Sequence, residues 1–113
     1  TVTALFENAA GLSPKAKVTM AGVVVGEVVS VGIDPYALKA QVHMKIDGQV
    51  NYLSIDTSAS ILTSGLLGEK YVGLTVGAEE DVLVDGDVIE DTQSALVLED
   101  LIGQFLLNFG DNT

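Results

Sequence analysis

The chain has 113 residues, enough for one compact domain, and its 48% apolar content is sufficient for a hydrophobic core. There is no cysteine, which excludes disulfides and thiolate chemistry. Five basic residues, all of them lysine, stand against 16 acidic ones and give a net charge of −11. This balance argues against nucleic-acid binding and against electrostatic docking on an anionic lipid surface.

The chain begins inside a predicted strand and has no initiator methionine. We therefore expect a fragment of a longer protein, with any signal or anchor segment upstream of it. No apolar run reaches the roughly 18 residues that a membrane-spanning helix needs, so we expect no bilayer-spanning helix within these residues.

The first fifty residues predict four strands. Apolar side chains alternate with others over residues 1–7, and a second short strand is predicted at 17–21. A valine-rich third strand is predicted at residues 22–31. A turn at Asp34-Pro35-Tyr36 is expected to follow it. Residues 40–47 alternate clearly and predict a half-buried strand.

The second half predicts further short strands at residues 58–63 and 69–76, and at 82–84 within an acidic turn region over 77–87. Residues 87–91 complete the β part. Six to eight short strands separated by turn signals predict a small barrel or sandwich. Gly22 and Gly26, inside the valine run, fit tight bends or a close backbone approach at a barrel corner.

After Thr92 the spacing of apolar side chains changes from every second residue to about every 3.6 residues. This change predicts an amphipathic helix. Thr92 or Ser94 suits its start, and Gly110 suits its C-terminal cap. We therefore divide the chain into a β domain at 1–92, a helix at 93–110 and a tail at 111–113. The apolar stripe must pack on the β domain or on other copies of the chain. Its members are Leu98, Leu101, Ile102, Phe105, Leu106 and Phe109.

Two adjacent leucines, Leu66 and Leu67, lie between glycines at a predicted strand-to-strand turn where polar residues are expected. Either this loop folds inward and plugs one end of a barrel, or at least one leucine needs an apolar partner outside its own domain. Together with the helical stripe, the loop favours assembly with other copies, with lipid, or with both.

Motifs for catalysis and metal binding are weak. His43 is the only histidine and is expected to be solvated on a polar strand face, and no catalytic triad or multi-histidine metal site is possible around it. The acidic residues of 79–91 lack the spacing of a calcium loop, which favours a solvated turn. The run at residues 22–26 lacks the Lys-Ser/Thr ending of a phosphate-binding loop. We therefore expect a protein that is not an enzyme and has no cofactor or metal.

Three stretches together carry a resemblance to a known family. VTMAGVVVGEV at residues 18–28, TSGLLGEKYV at 63–72 and DTQSALVLEDLIGQF at 91–105 are similar to the MCE (mammalian cell entry) domain family. The resemblance covers nearly the whole chain. It implies a mainly β fold, a seven-stranded MCE β-barrel followed by a C-terminal amphipathic α-helix, assembled as a homohexameric ring around a hydrophobic pore.

The resemblance also implies a function and a location. Leu66 and Leu67 match the pore-loop leucines of the family, and the stripe from Leu98 to Phe109 matches its axial helices. The expected location is the periplasmic side of a Gram-negative inner membrane, with an N-terminal anchor helix outside these residues. The expected partners are the permease, ATPase and STAS-domain subunits of an ABC transporter, phospholipid, and a soluble periplasmic lipid carrier.

These observations predict a lipid-conducting ring subunit that maintains outer-membrane lipid asymmetry. A second hypothesis is a structural ring that docks the carrier on the transporter without conducting lipid. A third, a monomeric hydrolase, lacks a recognisable nucleophile–base pair in the sequence.

Overall fold

The computed structural model describes residues 1–64 and 68–94, which form a single sheet of eight strands. The predicted strands over residues 1–76 and 87–91 are present. Residues 82–84 instead make one isolated bridge, from Val82 to Ser54, because a turn at 84–87 bends the chain away after one pairing. The strands are β1 (Val2–Phe6), β2 (Lys17–Met20), β3 (Val23–Asp34), β4 (Lys39–Ile46), β5 (Ser58–Thr63), β6 (Lys70–Thr75), β7 (Val88–Ile89) and β8 (Thr92–Gln93).

The sheet closes into a barrel through its last two strands. Its order is β7-β1-β4-β3-β2-β6-β5-β8, so the two edge strands are consecutive in the chain. β7 runs parallel to β1, and β8 runs parallel to β5. The Thr92 hydroxyl also donates a hydrogen bond of 2.6 Å to the Leu5 carbonyl. The mainly β barrel is thus confirmed, and its strand count is eight because the closing strand is interrupted between Ile89 and Thr92.

Alternate residues of each long strand point into the barrel. β1 shows this in its burial, in which Val2, Ala4 and Phe6 are buried and the residues between them are half-buried. Phe6, Met44 and Ile89 are the largest fully buried side chains. Each such side chain contributes roughly 1.5–3 kcal/mol when it is removed from water, so these strands supply the stability of the fold.

The two glycines of the valine run have the roles expected of them. Gly22 adopts φ +82°, the left-handed conformation that suits glycine, in the tight turn between β2 and β3. A Cβ on Gly26 would lie 2.3 Å from the Lys45 carbonyl oxygen, so only glycine permits this approach of β3 to β4. The β2–β3 register shifts just after the Val18–Gly26 pair, where a bulge at Val25 bends the wall of the barrel.

The strand directions give the barrel two distinct ends. β1, β5 and β8 finish, and β6 begins, at one end, which we call the loop end. Thr1 and the acidic turn region lie at the opposite end. β8 stops at Gln93, next to the predicted boundary between barrel and helix. The predicted helix lies outside the described residues, and in the described part of the chain no helix has the length and apolar character to cross a bilayer.

Candidate functional site

Strands β5 and β6 bring the predicted leucine loop to the loop end of the barrel. Leu66 and Leu67 themselves lie outside the described residues, but both flanks of their loop are described. Thr63 pairs with Lys70, and the Ser64 N–H donates a 3.0 Å hydrogen bond to the Glu69 carbonyl. The two described flanks of the leucine loop are therefore held together on the rim.

The chain leaves the barrel at this same end. β8 runs toward it, and the Ser94 hydroxyl accepts a 3.1 Å hydrogen bond from the Asn8 N–H, just beyond the end of β1. The stripe from Leu98 to Phe109 follows directly, outside the described residues. The two features that sequence analysis assigned to lipid binding and assembly therefore start from one end of the barrel.

A long hairpin also projects from the loop end. β3 continues past Lys17, where β2 begins, and beyond Val28 its remaining residues pair with β4 alone. At the tip, Ile33 is 69% exposed, Tyr36 96% and Leu38 79%. Sequence analysis predicted only a turn here. The signal it missed is three large apolar side chains around Pro35, where solvated residues are the rule.

The outer wall carries an open groove of about 610 Å³ that runs from Ser64 and Lys70 at the loop end to Gly22 and Thr75 at the opposite end. It crosses β2, β6 and β5, and Val24 and Leu62 give it an apolar surface. Gly73 lies under it, and a Cβ there would come within 2.8 Å of Leu62 Cδ1, so the Leu62 side chain would have to shift. The groove is a second surface that sequence analysis did not identify, since its parts come from separate strands.

The groove is basic in an acidic protein. Lys15, Lys17 and Lys70, three of the five lysines, line it together with one acid, Glu69. Lys15 and Lys17 are exposed, whereas the Lys70 ammonium donates a hydrogen bond to the Thr63 hydroxyl. The remainder of the chain carries nearly all of the negative charge, so this wall is electrostatically distinct.

The acidic turn at the opposite end is organised by Asp56. Its carboxylate accepts hydrogen bonds from the N–H groups of Ala78 (2.9 Å) and Glu79 (3.2 Å). A hydrogen bond from the Ser54 side chain, and then these backbone bonds, hold the pKa of Asp56 below its usual value. In the described ranges, no group of three or more acidic or histidine side chains is arranged to hold a metal ion.

His43 is half-buried rather than fully solvated. Its Nδ1 lies 3.0 Å from the Thr3 hydroxyl, across the β1–β4 ladder on the outer wall. No carboxylate among the described residues hydrogen-bonds to this imidazole, so the pair lacks the third group that orients a catalytic base. It is a cross-strand pair of the kind that stabilises sheets.

The architecture defines the class of the domain: a small β-barrel that the chain enters at one end and leaves at the other, with the flanks of the leucine loop on the exit rim. Comparison with known proteins then gives the family. The family model described as "MlaD protein" matches residues 1–77, and the chain belongs to this family. The expected resemblance to MCE domains is thereby confirmed.

Similar proteins carry consistent names. A protein of Escherichia coli strain K12, named intermembrane phospholipid transport system binding protein MlaD, is 47% identical over 111 residues, covering 94% of this chain and 61% of that protein. A protein of the same name from Haemophilus influenzae is 45% identical over 109 residues, covering 94% and 65%. The chain thus spans about three-fifths of the length of these curated relatives.

A solved structure shares the fold. One chain of the structure described as "Acinetobacter MlaFEDB complex in ATP-bound Vtrans1 conformation" superposes with a TM-score of 0.82 at 29% identity. The match covers 92% of this chain and 79% of the other.

Proposed function

We propose that the chain is a non-enzymatic, phospholipid-binding and lipid-conducting ring subunit of an ABC transporter that faces the periplasm. The named relatives belong to a phospholipid transport system, and the similar structure is a transporter complex bound to ATP. In this proposal, permease, ATPase and STAS-domain subunits supply the energy, and a soluble periplasmic carrier exchanges lipid with the ring. The barrel stands on the periplasmic side of the inner membrane, and the transporter maintains outer-membrane lipid asymmetry.

One observation carries the proposal: the flanks of the leucine loop and the exit toward the apolar stripe lie at the same end of the barrel. In a homohexamer whose loop ends meet at the axis, Leu66 and Leu67 of six copies cover one another and line an uncharged hole. An acyl chain gains about 0.8 kcal/mol per buried methylene there, so a partly enclosed chain is held by several kcal/mol and still released through an open passage.

Substitution of both leucines tests conduction. We expect Leu66→Asn with Leu67→Asn to leave the ring assembled and to abolish phospholipid flux through the assembled transporter, because amide side chains make the hole polar. The matched control is Leu66→Met with Leu67→Met, which keeps apolar side chains of similar volume and should retain flux. Wild-type flux in the asparagine variant would refute the pore.

The alternative is a structural ring that docks the carrier without conducting lipid. Native mass spectrometry separates the two functions, since a conducting ring is expected to retain phospholipid and a purely structural ring is not. Deletion of residues 98–113 is expected to weaken assembly or lipid retention, as measured by light scattering and lipid analysis. An unchanged hexamer with normal lipid content after the deletion would refute a role for the stripe.

A further inference from the structure

The tip of the β3–β4 hairpin is an apolar surface without cover from the described part of its own chain. Ile33, Tyr36 and Leu38 are all more than two-thirds exposed. An unpaired set of large apolar side chains of this kind is typical of a contact site for another molecule.

Hydrogen bonds within the turn hold the tip in one conformation. Asp34 Oδ1 accepts hydrogen bonds from the N–H groups of Tyr36 (2.8 Å) and Ala37 (3.1 Å), and the Asp34 carbonyl accepts one from Leu38 (2.8 Å). Because the turn is held in one conformation before binding, little conformational entropy is lost when it enters a complementary site.

The groove on the outer wall has an apolar surface and a positive charge that complement the hairpin tip. Val24 is 50% exposed and Leu62 42% exposed, which gives an apolar surface for Tyr36 and Leu38. Lys15, exposed on the rim, offers a positive charge to the Asp34 carboxylate, which is the single acidic side chain of the tip. A copy of a chain with net charge −11 needs such a basic patch to bind another copy against their mutual repulsion.

The groove that receives the tip must belong to another copy. The tip begins six residues beyond Val28, which is roughly 20 Å along an extended strand. To reach its own groove the hairpin would have to fold back over the outer wall and break the pairing of Ala40 with Phe6. Two different surfaces that meet between identical chains form a heterologous contact, which closes into a ring when the rotation permits.

We propose that the hairpin tip of one copy binds in the β2–β6–β5 groove of the next copy and so forms the contact that builds the ring. This inference rests on the proposed function, of which it names the interface.

Cross-linking tests the contact directly, because the natural chain has no cysteine. We expect the double variant Val24→Cys with Tyr36→Cys to give a ladder of covalent oligomers with a short bis-maleimide. The controls are Tyr36→Cys alone, and Tyr36→Cys with Glu80→Cys, which pairs the tip with an exposed site at the opposite end. A double variant that cross-links no more than these controls would overturn the contact.

A second experiment measures assembly. Tyr36→Asp with Leu38→Asp is expected to reduce the oligomeric mass found by light scattering, because carboxylates replace apolar side chains of the tip. Val84→Asp is the matched control, since Val84 is 60% exposed at the opposite end and should leave the mass unchanged. A wild-type oligomer that loses only its phospholipid in the tip variant would overturn the contact and assign the tip to lipid.

The outcomes distinguish this inference from the function on which it rests. A ring that persists in the tip variant, with its lipid retained and no tip-to-groove cross-links, refutes the contact and leaves the lipid-conducting ring in place. A natural chain that is monomeric and free of phospholipid refutes the proposed function as well.

Discussion

Replacement of Gly26 by alanine tests the close approach of β3 to β4. A Cβ at this position would lie 2.3 Å from the Lys45 carbonyl oxygen and 3.1 Å from the Ile46 Cα. Both are backbone atoms, so no side-chain rotation relieves the clash, and the two strands must move apart.

The size of the effect follows from what must be displaced. Overpacking costs about 1–3 kcal/mol, and one weakened ladder hydrogen bond costs about 1 kcal/mol. We therefore expect Gly26→Ala to lower the free energy of unfolding by about 2–4 kcal/mol, a large share of the roughly 5–15 kcal/mol of a typical domain.

Gly32 on the same strand provides the matched control. A Cβ there meets nothing within 4 Å, and replacing a strand glycine by alanine is favourable by about 0.5–1 kcal/mol. Urea denaturation followed by circular dichroism should place the midpoint of Gly26→Ala well below that of the wild type, and the midpoint of Gly32→Ala at or slightly above it. Equal midpoints for the two variants would refute the argument.

Three further predictions concern the core, the acidic turn and the closure of the barrel. Phe6→Ala should lower the unfolding free energy by about 3–5 kcal/mol, because Phe6 is fully buried. An unchanged urea midpoint would contradict the burial of Phe6 in the core. Hydrogen bonds, first that of Ser54, lower the pKa of Asp56, so its stabilisation is complete above the ordinary 3.8 and is lost as pH falls through the folded pKa. Urea midpoints should therefore decline more steeply in acid for the wild type than for Asp56→Asn. The same decline of the midpoint with pH in both proteins would contradict a stabilising role for the Asp56 hydrogen bonds. Thr92→Val removes the bond to Leu5 that closes the barrel, which should cost about 1 kcal/mol and speed amide exchange in β1 and β8; unchanged exchange would argue against closure there.

The strands were predictable because each is a local pattern. Val2, Ala4 and Phe6 alternate with other residues, and a period of two fixes which side chains face inward whatever the neighbouring strand is. The need for glycine at Gly22 and Gly26 was predictable for the same reason, since turns and close approaches interrupt an apolar run at single positions.

The partners of the strands were not predictable from these patterns. A period of two places Thr3 and His43 on the outward faces of their strands but does not give their pairing, which joins residues forty positions apart. The strand expected at residues 82–84 likewise depends on a distant partner, Ser54, and it makes a single bridge because the turn at 84–87 bends the chain away.

The sequence by itself determined the alternating strands, the positions that require glycine, and the presence of apolar side chains in a turn where water is expected. Only the tertiary structure decided that the barrel closes through a strand interrupted between Ile89 and Thr92. It also decided that the flanks of the leucine loop, the hairpin tip and the exit of the chain share one end. The physical reason is that local residues set a backbone conformation and an inward face, whereas long-range hydrogen bonding sets which faces and ends meet.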